Sequence, residues 1–123
     1  MTIPAPDFRC ELRRDQDVTV VVVDGELEEI SAVHLAAACL HAGDVDGVGR
    51  ISGDVVLDAA GVSFVDGTGI RMVETLHRTF ERAGRRLTIV SPSRRVQAEI
   101  DRMGLDRVLR VESEMPVPAA LTG

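Results

Sequence analysis

The hydrophobic and polar positions along the chain fall into two rhythms. Apolar Phe8, Cys10 and Leu12 alternate with Arg9, Glu11 and Arg13, the period-2 pattern of a half-exposed strand at a sheet edge. Asp15-Gln16-Asp17 reads as a turn. Val18 to Val23 is β-branched and apolar on both faces, which predicts a buried central strand closed by Asp24-Gly25. The short link between these strands predicts a hairpin. The rhythm then becomes helical. A helix from roughly Glu28 to Ala42 carries Ile30, Val33, Ala37 and Leu40 as its core stripe, with Ala36 filling it. Glu26, Glu28 and Glu29 at its start suit the positive end of the helix dipole.

A Gly-rich loop from Gly43 to Gly53 precedes a second buried strand, Val55-Val56-Leu57. Gly61 to Val65 leads into Asp66-Gly67-Thr68-Gly69, and a long helix begins near Thr68. Ile70, Val73, Leu76, Phe80 and Ala83 form its predicted stripe, Glu74 and Arg78 an exposed i,i+4 pair, and Gly84 its terminator. Leu87 to Val90 predicts a third buried strand. Ser91-Pro92 reads as cap and first residue of a helix that turns Val96, Ile100 and Met103 inward and stops at Gly104. Val108 to Val111 predicts a last short strand.

The order β-β-α-β-α-β-α-β predicts one α/β domain over residues 8–112, with a mostly parallel sheet of four to five strands and right-handed crossovers. Residues 1–7 are expected to be a disordered N-terminus and 113–123 a frayed tail. In such sheets, ligands and partners meet the loops at the carboxyl ends of the strands. Those loops are expected at Asp24-Gly25-Glu26, Ala59 to Gly69 and Ser91-Pro92-Ser93.

Composition narrows the function. The 123 residues fit one domain, and 45% hydrophobic content supplies its core. A net charge of −6 argues against nucleic acid, whose phosphates need a basic footprint, and against an anionic membrane surface. No apolar run approaches the ~20 residues of a membrane span. Cys10 and Cys39 lack C-x-x-C spacing and follow no secretory segment, so a cytoplasmic setting and small core roles are expected. All 14 basic residues are arginine, which removes any phosphate-gripping or Schiff-base lysine. The absence of Trp and Tyr removes stacking platforms for single-stranded nucleic acid. Richness in Ala, Val, Gly, Asp and Arg points to a GC-rich bacterial genome.

Enzymatic readings of the acidic Gly-Thr-Gly loop fail on chemistry. A haloacid-dehalogenase nucleophile would stand where Phe64 is. The loop lacks the full glycine pattern of a dinucleotide site. Asp58 and Asp66 could pair as acid and base, but strand-end carboxylates more often cap backbone groups. Asp44 and Asp46 suggest a calcium loop whose final glutamate position holds Val55. His34, His41 and His77 show no ligand spacing; the first two belong on the flank of the first helix and His77 on the solvent face of the second. No catalytic residue, metal or cofactor is expected, and the chain reads as a non-enzyme.

Four pieces recur in a known order: V-V-L-D ending at Asp58, G-V-S-F-V-D-G-T-G-I from Gly61 to Ile70, R-R-L-T-I-V-S-P-S-R-R-V from Arg85 to Val96, and M-G-L-D-R-V from Met103 to Val108. With the stretch from Val20 to Leu27, around D-G-E-L, they cover nearly the whole domain and resemble the STAS domain, in particular bacterial anti-sigma-factor antagonists. The resemblance implies a partner switch that binds an anti-sigma factor of the histidine-kinase-like ATPase fold and frees a sigma factor. It further implies control by phosphorylation of the serine directly after the loop aspartate. That residue is Gly67 here, and Thr68 stands at the family's second hydroxyl position. Three readings stay open: a permanently unphosphorylated antagonist, Thr68 as substitute acceptor, or loss of the switch. The implied contact surface is Asp24, Gly25, Glu26, Asp66, Gly67, Thr68, Gly69, Ile70 and Arg71, with Ser91 and Ser93 as outer members. The alternative is a small-ligand- or lipid-binding STAS module with no sigma-factor role, which needs an apolar cavity of several hundred Å³; a nucleotide-binding protein is a weaker third class. Neither nucleic acid nor membrane is an expected partner, and a homodimer stays open.

Overall fold

The computed structural model of the chain describes residues 7–15, 18–44, 48 and 50–114. Its elements are β1 (Phe8–Asp15), β2 (Val18–Leu27), α1 (Glu29–Ala42), β3 (Asp54–Val65), α2 (Gly67–Arg82), β4 (Leu87–Val90), α3 (Arg94–Arg102) and β5 (Arg110–Glu112). The sheet runs β1-β2-β3-β4-β5, with β1 antiparallel to β2 and every later pair parallel. This is the predicted α/β architecture. Val21, Val23, Leu57 and Ile89 share one apolar cluster with Leu35 of α1, Phe80 of α2 and Ile100 of α3. Strand side chains alternate between faces, so Val20, Val56 and Val90 form a separate, smaller cluster on the other face. The expected disordered N-terminus and frayed tail lie outside the described residues except at Asp7, Ser113 and Glu114; so do Gln16 and Asp17 of the turn, and Val45, Asp46, Gly47 and Gly49 of the Gly-rich loop.

Two stretches expected as loops are strand. β2 continues through Asp24-Gly25-Glu26 to Leu27, and β3 continues through Ala59 to Val65, pairing with it. The register slips between Val22 and Asp24 and again between Gly25 and Glu26, each time leaving an extra residue on β3. Such bulges bend and twist a strand pair. Gly25 accommodates the bend at φ +100, where an added Cβ would lie 2.0 Å from the Asp7 carbonyl oxygen.

Helices α1 and α2 correct parts of the predicted faces, and α3 keeps its own. In α1 the buried residues are Ser31, Ala32, Leu35, Cys39 and Ala42. Ile30 and Val33 are 59% and 63% exposed, Ala37 is exposed, and Ala36 and Leu40 are half-buried. The helix is apolar nearly all round, so periodicity could not fix its rotation. Ser31 fixes it instead: its hydroxyl accepts the Glu28 N–H at 2.7 Å and donates to the Glu26 carbonyl at 2.7 Å. In α2, Ile70, Val73, Leu76 and Phe80 are buried as expected, but Ala83 is an exposed cap residue. His77 is largely buried, with a side chain only 13% exposed, and not on the solvent face. His34 and His41 are exposed on α1. Gly84 and Gly104 follow α2 and α3 with φ +73 and +67. The cap of α3 is Ser93, whose hydroxyl accepts the Val96 N–H at 3.3 Å. Ser91 sits at φ +49, outside the extended conformation of an N-cap, and donates its N–H to Glu112. Val96 and Ile100 are buried and Met103 is half-buried.

Helix α2 is seated by a close backbone approach. Asp66 donates its N–H to the Leu27 carbonyl at 3.3 Å. A Cβ on buried Gly69 would lie 2.6 Å from that same oxygen. Gly69→Ala is therefore expected to destabilise the domain by about 2 kcal/mol, the usual cost of overpacking, measured by urea unfolding.

Both cysteines face the core. Burial pushes the Cys39 thiol up to about 12, with Cys10 adding to it, and pushes Cys10 up to about 11, with the Asp24 carboxylate adding to it. The folded state thus keeps protons that the unfolded state releases above about pH 9. The chain has no Tyr or Lys, so no other side chain has its ordinary titration range there. Stability is expected to be fully present below pH 9 and to fall as pH rises toward 11, read from urea melts. At pH 8, Cys39 is expected to react with a thiol reagent only as fast as the protein unfolds.

Candidate functional site

The candidate site is the corner where β3 delivers the chain into α2. Asp66 is extended (φ −112, ψ −178), and its carboxylate accepts the Gly69 N–H at 2.8 Å. One otherwise unpartnered N–H of the first turn is thereby satisfied. Asp66 is spent on this cap, as the backbone-capping reading of the loop expects. Asp58 does the same on β3, accepting the Ala60 N–H at 3.1 Å.

The cap sorts the loop into inward and outward residues. Thr68 and Arg71 are exposed, whereas Gly69 and Ile70 are buried. Ile70, only 1% exposed, belongs to the core and offers no side chain to a partner. Gly67 is half-buried, and the nearest atom to an added Cβ is the Arg102 Nη2 at 3.8 Å. A side chain fits at that position without displacing backbone. The guanidinium beside it comes from the last turn of α3 and is held by Glu99, whose hydrogen bond and charge raise the Arg102 pKa further. It places a positive charge beside the start of α2.

Asp24 and Glu26 are exposed near the end of β2, and Glu26 pairs in register with Phe64. The Asp66 N–H to Leu27 link joins this strand end to α2. The structure thus brings Glu26, Thr68 and Arg71 to the surface around one strand–helix junction, while Asp24 lies opposite Gly61, roughly 13 Å at strand rise short of Val65. Ser91 and Ser93 lie elsewhere: β4 ends opposite Asp58, and Ser93 donates its N–H to Ala59. From there β3 runs on to Val65, roughly 20 Å at strand rise.

Three exposed residues near this corner are not expected there from the sequence, which places Ile30 in the core stripe of the first helix. Phe64 is a 40% exposed aromatic ring opposite Glu26, Ile30 stands exposed on the first turn of α1, and Arg102 reaches Gly67 from α3. Phe64 carried a signal, since it stands in the V-S-F-V-D run where alternation turns it away from buried Val65. Arg102 had none, because only the tertiary path of α3 brings it there.

The interior beneath the site is filled. A cavity of about 10 Å³, at the lower limit of what one water needs, lies among the apolar side chains of Leu27, Leu35, Ile70 and Ile89. Among the described residues, no three His, Cys, Asp or Glu side chains gather to hold a metal ion, and no helix is long and apolar enough to cross a membrane.

Comparison with known proteins places this architecture. A Thermotoga maritima protein proposed to be an anti-sigma factor antagonist is similar with a TM-score of 0.74 and 16% identity, over 86% of this chain and 87% of that one. An anti-sigma factor antagonist from Mycobacterium paratuberculosis is similar with a TM-score of 0.67 and 23% identity, over 98% of this chain and 97% of its own. The murine solute carrier 26 family member A9 anion transporter contains the same fold, with a TM-score of 0.68 and 22% identity over 84% of this chain and 17% of the transporter. Comparison with curated proteins gives no match. The STAS domain family model matches residues 9–116. With that span and this five-stranded, three-helix architecture, the chain belongs to the STAS domain family.

Proposed function

We propose that this chain is an anti-sigma-factor antagonist that docks on an anti-sigma factor through the surface around Thr68. The observation that carries the reading is the exposure of Thr68 on the first turn of α2, between a glycine with free space and a glycine locked against Leu27. The surface is mixed in charge, with Glu26, Thr68 and Arg71 exposed. A phosphate placed there would add about −1.5 to −2 charges to a docking face. The filled interior beneath the corner supports docking there over the carrier reading, which needs several hundred Å³ of apolar space; a space of that size among the described residues, about 560 Å³, lies between α3 and β5 and is lined by Pro92, Arg94, Gln97, Asp106, Val111 and Ser113. Two neighbours of this fold, from Thermotoga maritima and Mycobacterium paratuberculosis, bear the antagonist description.

Because Gly67 has no hydroxyl, the chain acts without the family's usual phosphoserine and stays competent to bind, in a cytoplasmic setting and without catalysis of its own. The partner is an anti-sigma factor with a histidine-kinase-like ATPase fold.

Calorimetric titration against the anti-sigma factors of the source organism tests the docking claim. Wild type is expected to bind one of them, and Thr68→Glu to weaken that complex about a hundredfold; equal binding by both would remove this corner from the interface. Intact-mass analysis after incubation with the bound anti-sigma factor and ATP tests the missing acceptor. Wild type is expected to keep its mass, while Gly67→Ser gains one phosphoryl group and folds as wild type. A gain on wild-type Thr68 would replace the constitutive reading with Thr68 as acceptor.

A further inference from the structure

The apolar stripe that periodicity assigns to the core side of α1 faces away from the rest of the domain. Ile30 and Val33 are 59% and 63% exposed, Ala37 is exposed and Leu40 is half-buried. Their spacing of three, four and three residues is the a/d repeat of a helix that meets another helix. Within the domain, α1 turns Ala32, Leu35 and Cys39 to the cluster it shares with the sheet and α2. The a/d stripe is therefore a helix-pairing seam that the domain itself leaves open.

The seam is also free of ionised side chains along its length. Charged residues make up 28% of the chain, yet no Asp, Glu or Arg falls between Glu29 and Asp44. Loss of charge around contiguous exposed apolar groups marks the centre of protein interfaces. The absence of arginine from α1 removes the basic face by which a surface helix holds a membrane.

The order of residues on α1 specifies what covers it. Positions equidistant from residue 35 complement one another: Ile30 and Leu40, Val33 and Ala37, Glu29 and His41. Two copies of α1 laid antiparallel, with a two-fold axis level with residue 35, appose each of these pairs twice, as a self-complementary contact requires. Large side chains then meet at both ends of the seam, and Ala36 and Ala37 let the backbones approach near the axis. The Glu29 carboxylate faces an imidazole that can donate an N–H to it. The positive start of each helix lies beside the negative end of the other. A parallel pair sets Glu29 against Glu29 and start against start.

We infer that two copies of this chain pair antiparallel through α1, with Ile30, Val33, Ala37 and Leu40 as the seam. The pairing does not rest on the proposed anti-sigma-factor role. The 14 residues of α1 extend about 21 Å, so the contact falls at the small end of specific interfaces and the dimer dissociates on dilution.

Sedimentation equilibrium of the full chain, from micromolar to millimolar concentration, tests this. The mass is expected to rise from 13.3 kDa toward twice that value. Val33→Glu is expected to weaken self-association about a hundredfold. Thr75→Glu, which adds the same charge at an exposed position of α2, is expected to leave it unchanged. Circular dichroism and urea melts report the fold of both variants. Orientation is read by mixing Val33→Cys and Ala37→Cys chains with oxidised glutathione and mapping the disulfides by mass spectrometry. Links from position 33 to position 37 are expected to dominate. Links between equal positions, or a dimer that Val33→Glu leaves intact or that Thr75→Glu weakens as much, would overturn the inference. A chain that stays monomeric at every concentration also overturns it, and loss of anti-sigma-factor binding in Val33→Glu would then assign the seam to that partner.

Discussion

The start of α2 rests on the end of β2 through the Leu27 carbonyl. That one oxygen accepts the Asp66 N–H and lies where any side chain on residue 69 would have to go. The contact sets both the height and the rotation of the helix. Ile70, Val73, Leu76 and Phe80 fall into the core as a result, and Thr68 and Arg71 fall outside it. Core packing and surface presentation are thus two readings of one backbone contact. A shift of α2 that exposed Ile70 would also lose the Asp66 cap and the strand-to-helix link.

This coupling gives the proposed docking corner a defined backbone shape. The exposed groups are few, and the backbone beneath them is tied at several points. Asp66 is tied to Gly69, Leu27 to Asp66, and Arg102 to Glu99. A partner meeting this surface meets a preformed shape, and little ordering entropy has to be lost on contact. The bulged upper halves of β2 and β3 contribute by carrying the corner beyond the ends of β4 and β5, where it projects clear of the rest of the sheet.

The order of elements and the parallel sheet were legible in the sequence because Val18–Val23, Val55–Leu57 and Leu87–Val90 are β-branched or apolar on both faces, and because α2 has a strongly one-sided pattern. The rotation of α1 was not legible. Ala, Val, Leu and Ile occupy nearly its whole circumference, and only the buried hydroxyl of Ser31, bonded to Glu26 and Glu28, selects the inward side. The second half of β3 was also hidden, since Gly61 and Ser63 resemble a loop and their pairing with β2 depends on bulges that no local pattern records. The loop around Asp66 was legible as a capped helix start. The inward placement of Ile70 follows from the helical stripe, so its inclusion in a contact surface conflicted with periodicity already visible. Ser93, and not Ser91, caps α3 because Ser93 has the extended backbone an N-cap needs whereas Ser91 sits at φ +49.

The open space over Gly67 bears on heredity as much as on mechanics. A buried glycine such as Gly69 is entrenched, because its neighbours have closed around it and any replacement demands compensating change nearby. Nothing has closed around Gly67, whose nearest foreign atom is the end of a flexible arginine. Glycine and serine codons differ by a single nucleotide in several cases, so a lineage carrying this chain could regain or lose a hydroxyl there in one step, with the scaffold unaltered on either side of the change.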